Sequence, residues 1–404
     1  MVSRTGTTAT RWPLLLLCVG AGVVCAFQIG KAPPALPGMR AGLQLGLVAA
    51  GWVISMYAFV TAFAGALGGA LADAAGHRRA VLFGLCCLAA GSAAGAMADG
   101  PALVLAGRFI EGIGYVPIMV SVPALIARIA GTRDARLAFG IWGANMPAGT
   151  ALMVLLAPAF LDRFGWQGLW LANAAAAAAY AVLFAAGTRV LATPGRGMAA
   201  LAPRALGRDM AEVLRAPAPV ALALFYPTYT GNYLAVFGFL PTLLIERIGV
   251  GPTRAALLTA FAIAVNVIGN VGGGYLRQKG APLRLMLVGG SAATALLAAG
   301  VYADGLSPVI RYLCAVALGI VCGVIPASTL GAAAMFAPRP ALVATSTGLL
   351  VQGSNIGMLV WPPALAAVVA WGGGWHAAPW LVSGTAVLGM GLGWIAGGYE
   401  KRRA

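Results

Sequence analysis

Four ionisable residues lie inside long apolar runs of the chain: Lys31, Arg108, Glu111 and Arg311. A charge at membrane depth is costly, and such residues commonly mark pathways for protons, ions or substrates. Three of the four are cations, which predicts attraction of an anion. Glu111 is the only acid among them, and it is therefore the predicted site of proton exchange.

Arg108 and Glu111 are close together in one apolar run. Arg108 follows Pro101 by seven residues, which places it about 10 Å into a helix at 1.5 Å per residue. Glu111 comes three residues later and shares a helix face with it. In one interpretation Arg108 meets the substrate while Glu111 takes up and releases a proton. In the other, the two residues form a structural pair with neighbouring helices.

Lys31 and Arg311 are open to two interpretations each. Lys31 lies roughly 28 Å along a straight helix from Trp12, in the outer half of the first span. Pro33 and Pro34 should break the helix there, and freed backbone groups are tolerated where they line a cavity. Lys31 would then attract an anionic substrate, or it would snorkel to the outer headgroups. Arg311, near the start of its span, carries the same ambiguity.

A group of uncharged polar residues extends the candidate substrate site. Tyr226, Tyr229 and Asn232 surround Pro227, and the pattern predicts a broken polar helix that faces water. Ordinary packing with tyrosines at the membrane interface is the alternative.

Amide side chains supply further candidates. Asn145 precedes Pro147, while Gln352 and Asn355 are interleaved with two glycines that should break their helix. Each amide is a predicted substrate ligand, although amides in membranes also join helices at about 1 kcal/mol.

The elements that position these residues are membrane spans. Of the 404 residues 61% are hydrophobic, only 9% are charged and the mean hydropathy is +0.90, whereas soluble proteins carry about 25% charged residues. A span needs about 20 apolar residues, so the chain is predicted to be an all-α membrane protein with twelve transmembrane helices. They are predicted at 12–36, 44–68, 80–98, 101–126, 139–160, 168–187, 219–245, 255–276, 285–303, 307–334, 342–369 and 378–397.

The basic residues predict the orientation of the chain. The loops after spans 2, 4 and 6, their second-half counterparts and the two tails hold nineteen of the 26 basic residues. By the positive-inside rule both termini are cytoplasmic in a multi-pass protein of the inner (plasma) membrane. The net charge of +16 is therefore attributed to basic loops on one side of the lipid bilayer. No nucleic-acid partner is predicted.

Residues 189–218 form the one long polar break and are predicted to be a cytoplasmic linker. It separates an N-terminal six-helix bundle, 1–188, from a C-terminal six-helix bundle, 219–404. A short amphipathic helix is expected around 208–215. The halves echo each other: Arg108 lies fifteen residues before Pro123, and Arg311 lies fifteen before Pro326.

Two motifs carry a family resemblance. Residues 69–79 read G-x-L-x-D-x-x-G-x-R-R, which resembles the loop between helices 2 and 3 of major facilitator superfamily transporters, and 108–114 resemble their fourth-helix motif R-x-x-x-G-x-G. The resemblance implies two pseudo-symmetric bundles that rock around a central site, the major facilitator fold. It also implies a conformational gate formed by Gly69, Asp73, Gly76, Arg78 and Arg79. The repeat at 273–280 has Arg277 where Asp73 stands.

Shorter segments bear on the branch of the superfamily. Residues 142–147, 165–167 and 239–244 are similar to the cyanate-permease-like branch. Drug–proton antiporters carry G-x-x-x-G-P-x-x-G-G in span 5, and this chain has Met146 before the proline and lacks the paired glycines.

Several function classes are disfavoured by the sequence. There is no phosphate-binding G-x-x-x-x-G-K-[ST] loop, and both histidines lie in predicted loops. The six cysteines fall in apolar runs without metal-ligand spacing. The chain is therefore predicted not to be an enzyme and to need no cofactor or metal.

The sequence thus predicts a monomeric secondary transporter that works by alternating access. It would move a small anionic solute, organic or inorganic, coupled to protons through Glu111. A proton-driven exporter of drugs or neutral metabolites is the alternative. A transporter-like receptor, a third class, would be expected to carry an appended soluble domain.

Overall fold

The computed structural model describes residues 9–131, 133–191, 203–339 and 342–400, apart from the side chains of residues 64–70, 73, 135, 136, 203–206, 334 and 344. All regular structure in this described part is helical. The α-helices are α1 Trp12–Gly30, α2 Ala32–Gly42, α3 Leu47–Ser55, α4 Phe59–Ala75, α5 His77–Ala96, α6 Pro101–Ile129, α7 Ala135–Gly143, α8 Asn145–Gly187, α9 Pro203–Arg215, α10 Pro217–Ile248, α11 Pro252–Ala264, α12 Asn266–Gln278, α13 Leu283–Tyr302, α14 Pro308–Phe336, α15 Val343–Trp371 and α16 Ala378–Gly398.

Twelve helical passes can be traced through the described residues. Nine segments are long and apolar enough to cross a membrane. One of these, α8, leaves helical geometry at Gly165 and comprises two passes. The split helix over 47–75 and the 32-residue α10 supply two more. The prediction of an all-α membrane protein is confirmed.

Gly76 and Gly165 allow the chain to turn sharply between passes. Gly76, between α4 and α5, has φ 90°, and Gly165 within α8 has φ 64°. A side chain with a Cβ is strained in this region of backbone space, which glycine enters freely.

The described residues form two compact units. The first comprises those of Met1–Lys31 and Ala66–Leu201, in which α5 packs on α6 and α8, and α1 packs on α8. The second comprises those of Ala32–Gly65 and Ala202–Ala404, where α10 packs on α15 and α16, and α13 packs on α14 and α16. The division into 1–188, 189–218 and 219–404 stays a prediction.

Prolines and glycines break some passes and leave others continuous. In the first pass α1 ends at Gly30 and α2 begins at Ala32, but Lys31 between them keeps helical backbone angles (φ −71°, ψ −29°), so the predicted break amounts to one residue. Pro33 lies in the first turn of α2, where a missing backbone N–H costs little. The fifth pass also breaks next to Asn145, where α7 gives way to α8.

The predicted break at Pro227 is wrong, because α10 runs unbroken through it. Thr230 Oγ1 lies 2.9 Å from the Ser354 carbonyl of α15 and ties the two helices together. The break predicted at Gly353 and Gly357 is also wrong, since α15 is continuous. A Cβ on Gly357 would lie 2.7 Å from Pro227 Cα, so the glycine serves close helix packing.

The predicted short helix before the second half is present as α9. Val213 is fully buried while its neighbour Leu214 is exposed. Arg339, beyond α14, donates from Nε to Glu212 Oε1 at 2.9 Å and from Nη2 to Asp209 Oδ1 at 3.0 Å. The hydrogen bond from Arg339 lowers the pKa of Glu212. The location of α9 at the membrane surface stays a prediction.

Candidate functional site

Three of the four predicted intramembrane ions meet inside the first unit. Lys31 lies in the turn between α1 and α2, whereas Arg108 and Glu111 lie one helical turn apart on α6. All three side chains have 0% solvent exposure. We call Lys31, Arg108 and Glu111, with their partners Gln28 and Ser92, the charge cluster.

Glu111 receives a cation at each carboxylate oxygen. Lys31 Nζ lies 2.5 Å from Oε1, and Arg108 Nη1 lies 2.5 Å from Oε2. Arg108 Nη1 also donates to the backbone carbonyl of Gln28 at 2.6 Å. Snorkelling of Lys31 to the headgroups, one of its two predicted interpretations, is wrong because its ammonium turns inward to this carboxylate.

Two neutral side chains accept the remaining hydrogen bonds of the Lys31 ammonium. Its Nζ donates to Gln28 Oε1 at 2.7 Å and to Ser92 Oγ at 2.8 Å. An ammonium has three N–H donors, so each one has an acceptor. Its Nζ also lies 4.6 Å from the ring centroid of Trp170, a distance suited to a cation–π contact.

Sequence reasoning missed Gln28, Ser92 and Trp170. Gln28 precedes Lys31 by three residues, so helical spacing could have suggested it. Ser92 and Trp170 are brought in by α5 and α8, and no local pattern announces those contacts.

Small residues permit the close approach on which the charge cluster depends. A Cβ on Gly91 of α5 would lie 2.5 Å from the Gly107 carbonyl oxygen and 2.8 Å from Glu111 Cγ. Glycine at position 91 therefore allows α5 to bring Ser92 within 2.9 Å of Glu111 Oε1.

Replacing Gly91 by Ala is expected to push α5 and α6 apart and displace Glu111. Overpacking of this kind typically costs about 1–3 kcal/mol. A thermal melt in detergent should show the destabilisation, whereas Gly289→Ala on α13 is the matched control, because a Cβ there meets nothing within 4 Å. Equal melting temperatures for the two variants would contradict the packing argument.

Arg311 does not repeat the environment of Arg108. Its Nε donates to the Val301 carbonyl at 3.2 Å, and its buried Nη2 has no hydrogen-bond partner. Among the described residues it makes no ion pair. The sequence echo between the two arginines is therefore not matched by an equivalent carboxylate among the described residues of the second unit.

The polar residues of α10 lie along one aromatic row. The ring centroids of Tyr226 and Tyr229 are 5.5 Å apart, and Tyr233 follows at 6.4 Å. Asn232 donates to the Val382 carbonyl at 3.2 Å and accepts from Thr385 Oγ1 at 2.8 Å. Asn232 thus joins α10 to α16, and its role as a substrate ligand stays a prediction.

The other three amide side chains of the candidate site form some of the hydrogen bonds available to them. Gln352 donates to the Ala62 carbonyl at 3.0 Å, and Asn355 donates to the Val351 carbonyl at 2.8 Å. Asn145 donates to the Trp142 carbonyl. Buried Oδ1 atoms of Asn145 and Asn355 have no hydrogen-bond partner, so these two retain a free acceptor for a ligand.

The predicted gate is only partly described. The surroundings of Gly69 and the side chain of Asp73 lie outside the described part of the chain. Arg78 donates from Nη2 to the Ala185 carbonyl at 2.7 Å and from Nε to Thr188 Oγ1 at 3.2 Å, so it caps the end of α8. Arg79 is exposed. The gating role of these residues, with the turn at Gly76, stays a prediction.

No group of three or more His, Cys, Asp or Glu residues in the described part of the chain could hold a metal ion. An all-helical membrane protein with a charge cluster buried among its helices fits the class of solute transporters. The sequence model of the Major Facilitator Superfamily matches residues 18–362. The chain belongs to this superfamily, whose members are transporters and not enzymes.

Solved structures support the same fold. A bacterial homologue of the human lysosomal transporter Spinster, inward-facing and unoccupied, matches with a TM-score of 0.82 and 15% identity, over 98% of this chain and 99% of that one. The peptide transporter POT matches with a TM-score of 0.77, 15% identity and coverage of 98% and 95%. The predicted major facilitator fold is confirmed.

Curated relatives include exporters. The cephamycin export protein of Amycolatopsis lactamdurans is 35% identical over 195 residues, 47% of this chain and 39% of that protein. The nitrite extrusion protein of Bacillus subtilis (strain 168) is 29% identical over 187 residues, 46% and 44% of the two chains. The matches thus span about two fifths of the length of these relatives. The likeness to the cyanate-permease-like branch stays a prediction.

Proposed function

We propose that this chain is a proton-coupled secondary transporter of a small anion, with Glu111 as the proton site and Lys31 and Arg108 as the anion site. The observation that carries the proposal is the two-to-one ratio of cations to carboxylate in a fully buried cluster. Alternating access in the inner membrane, with both termini cytoplasmic and the chain monomeric, completes the proposal.

The net charge of the cluster makes the binding of the proton and the binding of the anion depend on each other. The empty cluster carries one net positive charge. A proton on Glu111 alone would leave two buried cations without a counter-ion, at a cost of about 2.5–3.5 kcal/mol or more per charge at membrane depth. A monovalent anion restores the original net charge by pairing with the released cations. Proton and anion therefore favour each other's binding, which is the thermodynamic definition of positive coupling.

The structure favours co-transport of an anion with a proton, whereas the names of the relatives favour proton-driven export. Binding of proton and anion together supports co-transport, and a drug cation would instead compete with the proton for Glu111. Several relatives are named as export, resistance or efflux proteins. These names favour the second candidate function, a proton-driven exporter of drugs or neutral metabolites. The tyrosine row of α10 supports that candidate by offering aromatic faces to a planar substrate.

The two candidates predict opposite proton movements. Purified protein in liposomes with a trapped pH dye is given an external pulse of nitrite, cyanate, lactate or the cationic dye ethidium. Co-transport of an anion with a proton is expected to acidify the lumen beyond the leak seen in protein-free liposomes. Exchange of a cation for a proton would make the lumen alkaline, and a response to ethidium alone would overturn the anion proposal.

A further inference from the structure

A polar cavity lies within the second unit, where the ends of α2 and α10 meet. Its volume is about 360 Å³. Arg40, Thr242 and Glu246 supply its polar wall, and Pro37, Leu45 and Ile245 supply its apolar wall. By the predicted topology these helix ends face away from the arginine-rich cytoplasmic loops. All the residues named belong to the second unit, whereas the charge cluster belongs to the first.

Two residues that line the cavity each hold a buried polar atom with no hydrogen-bond partner. Thr242 is only 1% exposed, and its Oγ1 makes no hydrogen bond. Arg40 Nε is likewise buried and unpaired. An unsatisfied buried polar group is costly and uncommon in native proteins. A ligand that accepts hydrogen bonds from both groups would remove that cost.

Glu246 does not satisfy these two donors, since its carboxylate accepts from other groups and forms no hydrogen bond with Arg40 Nε or the Thr242 hydroxyl. Oε1 accepts from Arg40 Nη1 at 2.7 Å, and Oε2 accepts from Trp375 Nε1 at 2.8 Å. Trp375 is itself held, stacked on Tyr302 with ring centroids 6.3 Å apart. The pair with Glu246 orients the guanidinium and leaves other donors of its planar fork available.

We propose that this cavity binds an organic anion with an apolar body. The carboxylate accepts from Arg40 Nε and the Thr242 hydroxyl, and the hydrocarbon part packs against Pro37, Leu45 and Ile245. The site is separate from the charge cluster, and it needs no proton exchange at Glu111. The volume falls within the range of small-molecule sites, which are mostly apolar with a few placed polar groups.

Benzoate is the probe that tests the proposal, because it combines a carboxylate with a flat apolar ring. Its affinity is measured by calorimetry on the purified full chain in detergent. Arg40→Gln and Thr242→Val are each expected to weaken binding roughly tenfold or more, as for a lost hydrogen bond to a charged group. Benzamide, the uncharged analogue, should bind at least about tenfold more weakly than benzoate.

Arg247→Gln is the matched control. The Arg247 side chain is 28% exposed, against 29% for Arg40, and it pairs with Asp304 instead of lining the cavity. It should leave the benzoate affinity unchanged. If Arg40→Gln fails to fold, Thr242→Val, which keeps the side-chain volume, decides the matter.

The result separates this site from the proposed transport function. Glu111→Gln should retain benzoate affinity at the cavity even where it abolishes proton coupling. Failure of wild-type protein to bind benzoate, equal affinity in Arg40→Gln and Arg247→Gln, or loss of benzoate binding in a folded Glu111→Gln protein would each overturn the proposal.

Discussion

Replacing Glu111 by Gln is expected to abolish proton-driven accumulation of the transported anion while counterflow exchange of that anion persists. Gln is close in size to Glu and can still accept from Ser92, but it carries no exchangeable proton. The variant imitates the protonated cluster, with Lys31 and Arg108 both available to an anion. The measurement is uptake into liposomes, first with an imposed pH gradient and then with anion on both sides.

Glu400→Gln is the control for this experiment. Glu400 also pairs with an arginine, Arg277, at 2.6 Å, and it accepts from the Leu283 N–H at 2.6 Å. It lies outside the charge cluster, so driven accumulation should survive. Full pH-driven accumulation by Glu111→Gln would contradict the assignment of the proton site.

Lys31→Met is expected to preserve the fold yet reduce anion accumulation by at least about tenfold, the loss of one buried charge-assisted contact. The substitution leaves Arg108 and Glu111 as a neutral pair, so no charge is stranded. Glu111→Gln instead strands two cations, and removing one partner of a buried pair typically costs about 3–5 kcal/mol. Thermal melts without anion should therefore rank Lys31→Met above Glu111→Gln.

The two substitutions distinguish a transport role of the charge cluster from a purely structural one. If the charge cluster only holds helices together, Lys31→Met should melt early and any protein that folds should transport normally. Normal accumulation by a folded Lys31→Met protein would contradict the proposed anion site. Addition of a transported anion should raise the melting temperature of Glu111→Gln, since the anion replaces the missing carboxylate charge.

The fold was largely predictable because hydropathy reports membrane spans directly. The pass predicted at 101–126 is α6, Pro101–Ile129, and that predicted at 378–397 is α16, Ala378–Gly398. The breaks were less predictable. Pro33 lies in the first turn of α2 whereas Pro227 lies in the middle of α10, and the difference depends on tertiary contacts such as that of Thr230 with α15.

Only part of the charge cluster was predictable from the sequence. Arg108 and Glu111 are three residues apart, so local helical spacing predicted that they share a face. Lys31 and Glu111 are separated by eighty residues, and no local rule specifies a contact at that distance along the chain. Ser92 has no distinguishing neighbour in sequence, and the close packing at Gly91 that places it emerges only in the folded unit.

The most direct test of the central claim is the number of protons bound together with the anion. The purified protein, in weakly buffered detergent solution with a pH indicator, is mixed with the most effective anion among nitrite, cyanate and lactate. Wild-type protein is predicted to take up about one proton for each anion bound, since the two are positively coupled, and Glu111→Gln is predicted to bind the anion with no proton uptake. Anion binding without proton uptake in the wild-type protein, or equal uptake in the variant, would contradict the account.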